Sequence, residues 1–164
     1  MGKISAWISN VDRTSYPRLE NEIEVDVAII GGGITGVTAA YLLSKAGKRV
    51  AVLEALQVGA GSTGFSTGNL YSTVGGEGLH TIGMKFNDAR VKEVVESRAL
   101  AVDFIERTIS EHGIDCEFRR VPWSLFTVQG LNREFIAKEK AAATGAGLPV
   151  SPAVTFPGGN AEGF

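Results

Sequence analysis

The chain has 164 residues, with 16 Lys and Arg against 18 Asp and Glu for a net charge of −2, and it is 44% hydrophobic and 21% charged. Those proportions exclude a collagen-like, coiled-coil or charge-driven disordered chain, and the near-neutral balance leaves no electrostatic footprint for nucleic acid. No apolar run reaches the roughly 18 residues of a membrane span, the first two dozen residues carry no secretory stretch, and a lone cysteine, Cys116, allows no internal disulfide and disfavours a metal site; the expected compartment is the cytosol.

Residues 1–24 are a polar lead without a clear period. Val25–Ile30 (VDVAII) is β-branched and almost continuously apolar, which predicts a strand buried on both faces of a parallel sheet. After Gly31–Gly36 a helix is expected over Ile34–Ala46, stopped by Gly47, and Arg49–Leu53 (RVAVL) reads as a second buried strand. Strand, helix and strand within about 30 residues make a βαβ unit. From Ala55 to Gly83 the residues are small and polar, and no core element is expected there. A long amphipathic helix follows over Asp88–His112, with Val91, Val94, Val95, Ala99, Val102, Phe104, Ile105 and Ile109 at spacings of mostly three and four, ended by Gly113. Cys116–Arg120 and Ser124–Gln129 read as two strands joined through Pro122. Glu134–Thr144 reads as a helix closed by Gly145 and Gly147, and Leu148–Phe164 holds no finished element. The expected division is a lead (1–24), a dinucleotide-binding unit with a glycine-rich loop (25–83), and a helix, hairpin and helix (84–164).

Glycine accounts for 21 residues, nearly twice the average share of about 7%, and it is clustered. Gly31-Gly32-Gly33-Ile34-Thr35-Gly36 satisfies GxGxxG. Alone the pattern is weak; here it leaves a predicted strand, opens a helix, and is followed by Glu54 at the end of the next strand, 21 residues after Gly33. Gly31 permits the tight turn, Gly33 lets backbone approach a pyrophosphate, and Gly36 lets the helix pack on the sheet. The amides of Ile34 and Thr35 at the helix start favour a diphosphate. Glu54, beside Ala55, would accept hydrogen bonds from ribose hydroxyls, and its charge disfavours a 2′-phosphate.

Residues 25–54 resemble the ADP-binding signature of FAD-dependent oxidoreductases, GxGxxGxxxAxxL followed by GxxVxxxE: Gly31, Gly33, Gly36, Ala40 and Leu43, then Gly47, Val50 and Glu54. Gly59–Leu70 (GAGSTGFSTGNL) resembles the glycine/serine/threonine loop of the D-amino-acid oxidase superfamily, which includes glycine and sarcosine oxidases. That resemblance implies a Rossmann-like α/β FAD-binding domain with the start of an inserted helix and β-hairpin. Gly61, Ser62 and Thr63 would then lie near phosphate or ribityl oxygens, and Thr67, Gly68 and Asn69 near the flavin. It implies FAD as cofactor, a small-molecule amine or amino acid as substrate, and hydride transfer to the flavin. Superfamily members are longer, so the chain is expected to be incomplete alone, needing a C-terminal half or a partner chain. Trp7 and Tyr16-Pro17 are similar to the lead of bacterial members, some of which carry a Rieske domain; this chain does not supply the two Cys and two His of such a cluster.

Two other functions fit parts of the pattern: an NAD-dependent dehydrogenase on the same βαβ unit, and a non-catalytic dinucleotide-binding remnant. No residue is assigned a catalytic role and no metal-ligand spacing is present. His80 either faces a ligand or is satisfied internally, and His112 suits a helix C-terminus. Cys116 is expected to be a buried small hydrophobe. Arg119, Arg120 and Arg133 are either substrate-carboxylate partners or ordinary surface groups, Trp123 and Phe126 are expected in core or interface, and the charge run Glu134–Lys140 reads as a solvated helix face.

Overall fold

A computed structural model describes residues 5–9, 14–74, 78–128, 132–152 and 161–163. The chain divides into two compact units, Met1–Asn69 and Leu70–Phe164.

In the first unit a single turn, α1 (Ala6–Ser9), precedes β1 (Val27–Ile30), α2 (Ile34–Lys45) and β2 (Val50–Leu53). β1 and β2 pair in parallel, Val27 opposite Val50 through Ile30 opposite Leu53. The register is pinned at its entrance: Asp26 N–H donates to the Arg49 carbonyl (2.9 Å), and Arg49 N–H donates to Asp26 Oδ2 (2.8 Å). The βαβ unit read from the sequence is present with boundaries one or two residues tighter. Its strands are not buried on both faces, however. β1 alternates half-buried and exposed residues, and Ile30 is 90% exposed. Among the described residues α2 packs on the two-stranded sheet, and one helix covers only one face of the pleat.

The second unit is built on three helices: α3 (Gly78–Lys85), α4 (Asp88–His112) and α5 (Arg133–Gly145). Leu79, fully buried, packs with Val91, Val95 and Ala143, and Ile82, Ala142 and Leu148 close around them. α4 matches its predicted span. The Asn87 side chain accepts from Arg90 N–H at its start (2.9 Å), and Gly113 ends it in the left-handed conformation. α5 extends the expected helix by one residue at each end.

Further expectations need correction here. The segment Ala55–Gly83 was expected to hold no core element, yet α3 begins at Gly78; its start is capped by Glu139 of α5, a partner no local pattern reveals. Cys116–Arg120 is not a strand. Glu117 takes a positive φ of 53°, and Arg120 turns its side chain to Asp103 and Glu106 of α4. Cys116 is accordingly exposed, not a buried hydrophobe. The expected hairpin is replaced by an antiparallel pair between β3 (Phe126–Val128) and β4 (Ala161–Gly163), so the tail read as featureless supplies a strand. Gln129, the end of the predicted strand, lies outside the described residues. Finally, the charge run of α5 is not solvated throughout, because Glu139 is only 3% exposed.

Candidate functional site: the glycine turn of the first unit

The turn leaving β1 is built by its glycines. Gly31 adopts φ +102°, which L side chains resist. At Gly36 a Cβ would overlap the Gly31 carbonyl oxygen and press on Ile29, so α2 approaches the turn only without a side chain there. Gly31 N–H donates to the Leu53 carbonyl (2.8 Å), and Gly59 N–H to the Gly32 carbonyl (2.9 Å), tying the turn to β2 and to the glycine-rich loop.

Two side chains complete it. Glu54 Oε2 accepts from Gly32 N–H at 2.6 Å, and Oε1 accepts from Leu56 N–H at 2.9 Å. These donors, Leu56 first and Gly32 second, hold the Glu54 carboxyl below its ordinary value. Thr63 Oγ1 accepts from Ile34 N–H at 2.9 Å, at the first residue of α2, where Gly33 itself offers no side-chain cap. A Cβ on Gly33 would lie 3.2 Å from the same hydroxyl, a tight contact with the loop.

Together these elements border an open cleft of about 460 Å³ at the start of α2. Gly31, Gly33, Ile34, Thr35, Gly36, Ser62 and Thr63 line it with Ile29, Ile30 and Ala39. Seven of the residues singled out from the sequence are thus gathered around one cavity, and Glu54 is bonded to the turn beside it. Ala55, Gly61, Thr67, Gly68 and Asn69 are not among its lining; Gly68 N–H donates to Ser66 Oγ within the loop (3.2 Å). Gly32 was not singled out, although its amide is the one Glu54 holds. It is the middle of three successive glycines, and its buried position needs one: a Cβ there would meet Glu54 and Val58 at 3.2 Å.

The cleft suits an anion. It opens at the start of α2, the positive end of that helix's dipole, and Ser62 and Thr63 add hydroxyls. Glu54 retains acceptor capacity, since each carboxylate oxygen has two lone pairs and uses one on the backbone. No residue lining the cleft carries a titratable acid or base. Among the described residues no group of three or more His, Cys, Asp or Glu could hold a metal ion, and no helix is long and apolar enough to cross a membrane.

Fold and cleft define a mixed α/β protein on a parallel βαβ unit. Residues 26–155 match the FAD dependent oxidoreductase family. The chain belongs to that family of FAD-dependent enzymes. Among curated proteins it is 37% identical over 145 residues to the Rieske 2Fe-2S iron-sulfur protein YhfW of Bacillus subtilis (87% of this chain, 28% of that protein). It is 30% identical over 111 residues to gamma-glutamylputrescine oxidoreductase of Escherichia coli (68% and 25%). Over 99 residues it is 36% identical to thiamine thiazole synthase of Thermotoga maritima (60% and 33%). The chain therefore spans between a quarter and a third of the length of these relatives. No solved structure matches it significantly.

Proposed function

We propose that this chain binds FAD through the glycine turn and serves a flavin oxidoreductase that oxidises a carbon–nitrogen bond of a small amine or amino acid. The observation that carries the reading is the combination at one turn of an open cleft at the α2 N-terminus, lined by Ser62 and Thr63, and the Glu54 carboxylate 2.6 Å from Gly32 N. In this reading the Thr35 amide and the hydroxyls of Ser62 and Thr63 bind the diphosphate, and Ile34 N–H joins them by exchanging its bond to Thr63 Oγ1 for one to the ligand. Glu54, with Ala55 beside it, takes the ribose hydroxyls, and Gly61, Thr67, Gly68 and Asn69 serve the flavin side. When bound, FAD supplies the electron sink for a hydride from the substrate carbon; the residues of this chain hold and orient the dinucleotide.

The amine class is supported by likeness to an oxidoreductase named for gamma-glutamylputrescine. The likeness to YhfW raises a Rieske centre as electron acceptor. With one cysteine in the chain, the two Cys and two His of that centre would have to come from other residues of a longer protein or from a partner.

Absorbance spectra of the purified chain after incubation with excess FAD and desalting test the reading. Retained flavin bands are the expected result. Retention of NAD in place of FAD would establish the dehydrogenase alternative, and retention of neither would refute dinucleotide binding by this chain. Glu54→Gln is expected to weaken FAD about tenfold, the worth of one charge-assisted hydrogen bond, as read by flavin fluorescence titration.

A further inference from the structure

The most concentrated polar chemistry outside the cleft lies at the start of α3. Leu79 N–H donates to Glu139 Oε2 at 2.9 Å, and His80 N–H donates to Oε1 at 2.7 Å. The His80 ring places Nδ1 2.5 Å from the same Oε1. Glu139 reaches this point from α5 and is 3% exposed; the His80 side chain is 17% exposed. The ring also stands edge-on to Phe135, one turn earlier on α5, with centroids 5.1 Å apart at 84°. Its other nitrogen, Nε2, lies 3.4 Å from Thr81 Oγ1. Gly78 fits the arrangement, since its φ is +80° and a Cβ would run into the Glu139 carboxylate.

We propose that Glu139 fixes His80 as the Nδ1–H tautomer and thereby makes Nε2 an oriented hydrogen-bond acceptor. An ionised carboxylate only accepts hydrogen bonds. Glu139 already serves as acceptor for the Leu79 and His80 backbone N–H groups, so the proton in the Nδ1···Oε1 contact is assigned to the ring. The Nε2 lone pair is then the acceptor of the imidazole, facing Thr81 Oγ1, and a carboxylate behind the ring is a general arrangement by which proteins orient a histidine. The partner assigned to Nε2 is a hydrogen-bond donor, the Thr81 hydroxyl or a ligand group that displaces it.

The other ionisable groups on these helices have different engagements. On α3 itself, Lys85 sits in the last turn. On α4, Asp88 lies toward Gly83 at the far end of α3, Arg90 pairs with Glu93, and Lys92 is exposed. On α5, Lys138 pairs with Glu134 at 2.6 Å, and Lys140 is exposed. Glu139 is the buried charged group of the unit's core, and His80 is the side chain bonded to it.

The test is direct because the chain has two histidines. Nitrogen-15 correlation spectra of the labelled 164-residue chain, recorded with the imidazoles neutral, report which ring nitrogen carries hydrogen, and a His112→Asn variant assigns the signals. The expected result is a protonated Nδ1 and a bare Nε2 for His80; an Nε2–H ring overturns the proposal. In a second measurement, Glu139→Met keeps the bulk and removes both acceptors. It is expected to accelerate amide exchange at Leu79 and His80 at least tenfold relative to α4 and to release the tautomer preference. A folded variant with both unchanged overturns the proposal, and where that variant fails to fold, the tautomer in the unsubstituted chain decides.

Discussion

Glu54 uses both carboxylate oxygens on the backbone of its own chain before any ligand arrives. Its folded pKa lies below the ordinary 4.5, so its contribution to stability is present in full above the ordinary carboxylate range and is lost as pH falls through the depressed value. The expected outcome is that the thermal midpoint of the unsubstituted chain exceeds that of Glu54→Gln near neutrality. The gap should close as unfolding is followed to pH values below the ordinary carboxylate range. Two glycines predict opposite outcomes of the same substitution. Gly36→Ala drives a methyl into the Gly31 carbonyl and is expected to destabilise by more than about 2 kcal/mol. Gly145→Ala meets open space at the last residue of α5 and is expected to be neutral or to stabilise by about 0.5–1 kcal/mol. Chemical denaturation of the two variants side by side measures the contrast.

At the scale of elements, the helices differ in where their stability originates. α4 carries its own signals, an Asn87 cap and a Gly113 stop around an apolar stripe, and its span is legible in the sequence for that reason. α3 carries none: it is short, contains two glycines, and depends on a carboxylate 60 residues downstream. Reading along the chain could not find it, just as it could not tell Glu139 from the exposed charges around it. Leu79, at 0% exposure, locks α3 into the core, and Leu79→Ala is expected to cost about 2–5 kcal/mol in denaturant unfolding. The clasp of Arg120 on Asp103 and Glu106 is of another kind. Its guanidinium is held well above its ordinary value by Glu106 and then Asp103, but all three side chains are about half exposed, where such pairs are worth at most about 1 kcal/mol. Arg120→Ala is therefore expected to shift the midpoint little, and added salt should erase the difference. That clasp, with the positive φ at Glu117, is what turns β-prone residues 116–120 into an extended loop.

For the whole molecule, the glycine turn was the most legible part because its chemistry is local: Gly31, Gly33 and Gly36 lie within six residues, and Glu54 closes the same βαβ unit. Thr63 was legible through the composition of its loop, but not its bond to Ile34, since the fold alone brings residues 29 apart together. Burial was misread in both units for one reason. An apolar residue declares that it can be covered, while what covers it is settled by elements far away in sequence, as at Ile30 and Cys116. The same separation has a consequence in time. A ribosome adds roughly 5–20 residues per second, and Glu139 follows Leu79 by 60 residues, so the amides that open α3 wait about 3–12 s for their acceptor to be made. Through that interval the nascent segment must be held by water or by a chaperone, and the second unit can close only after α5 has left the ribosome.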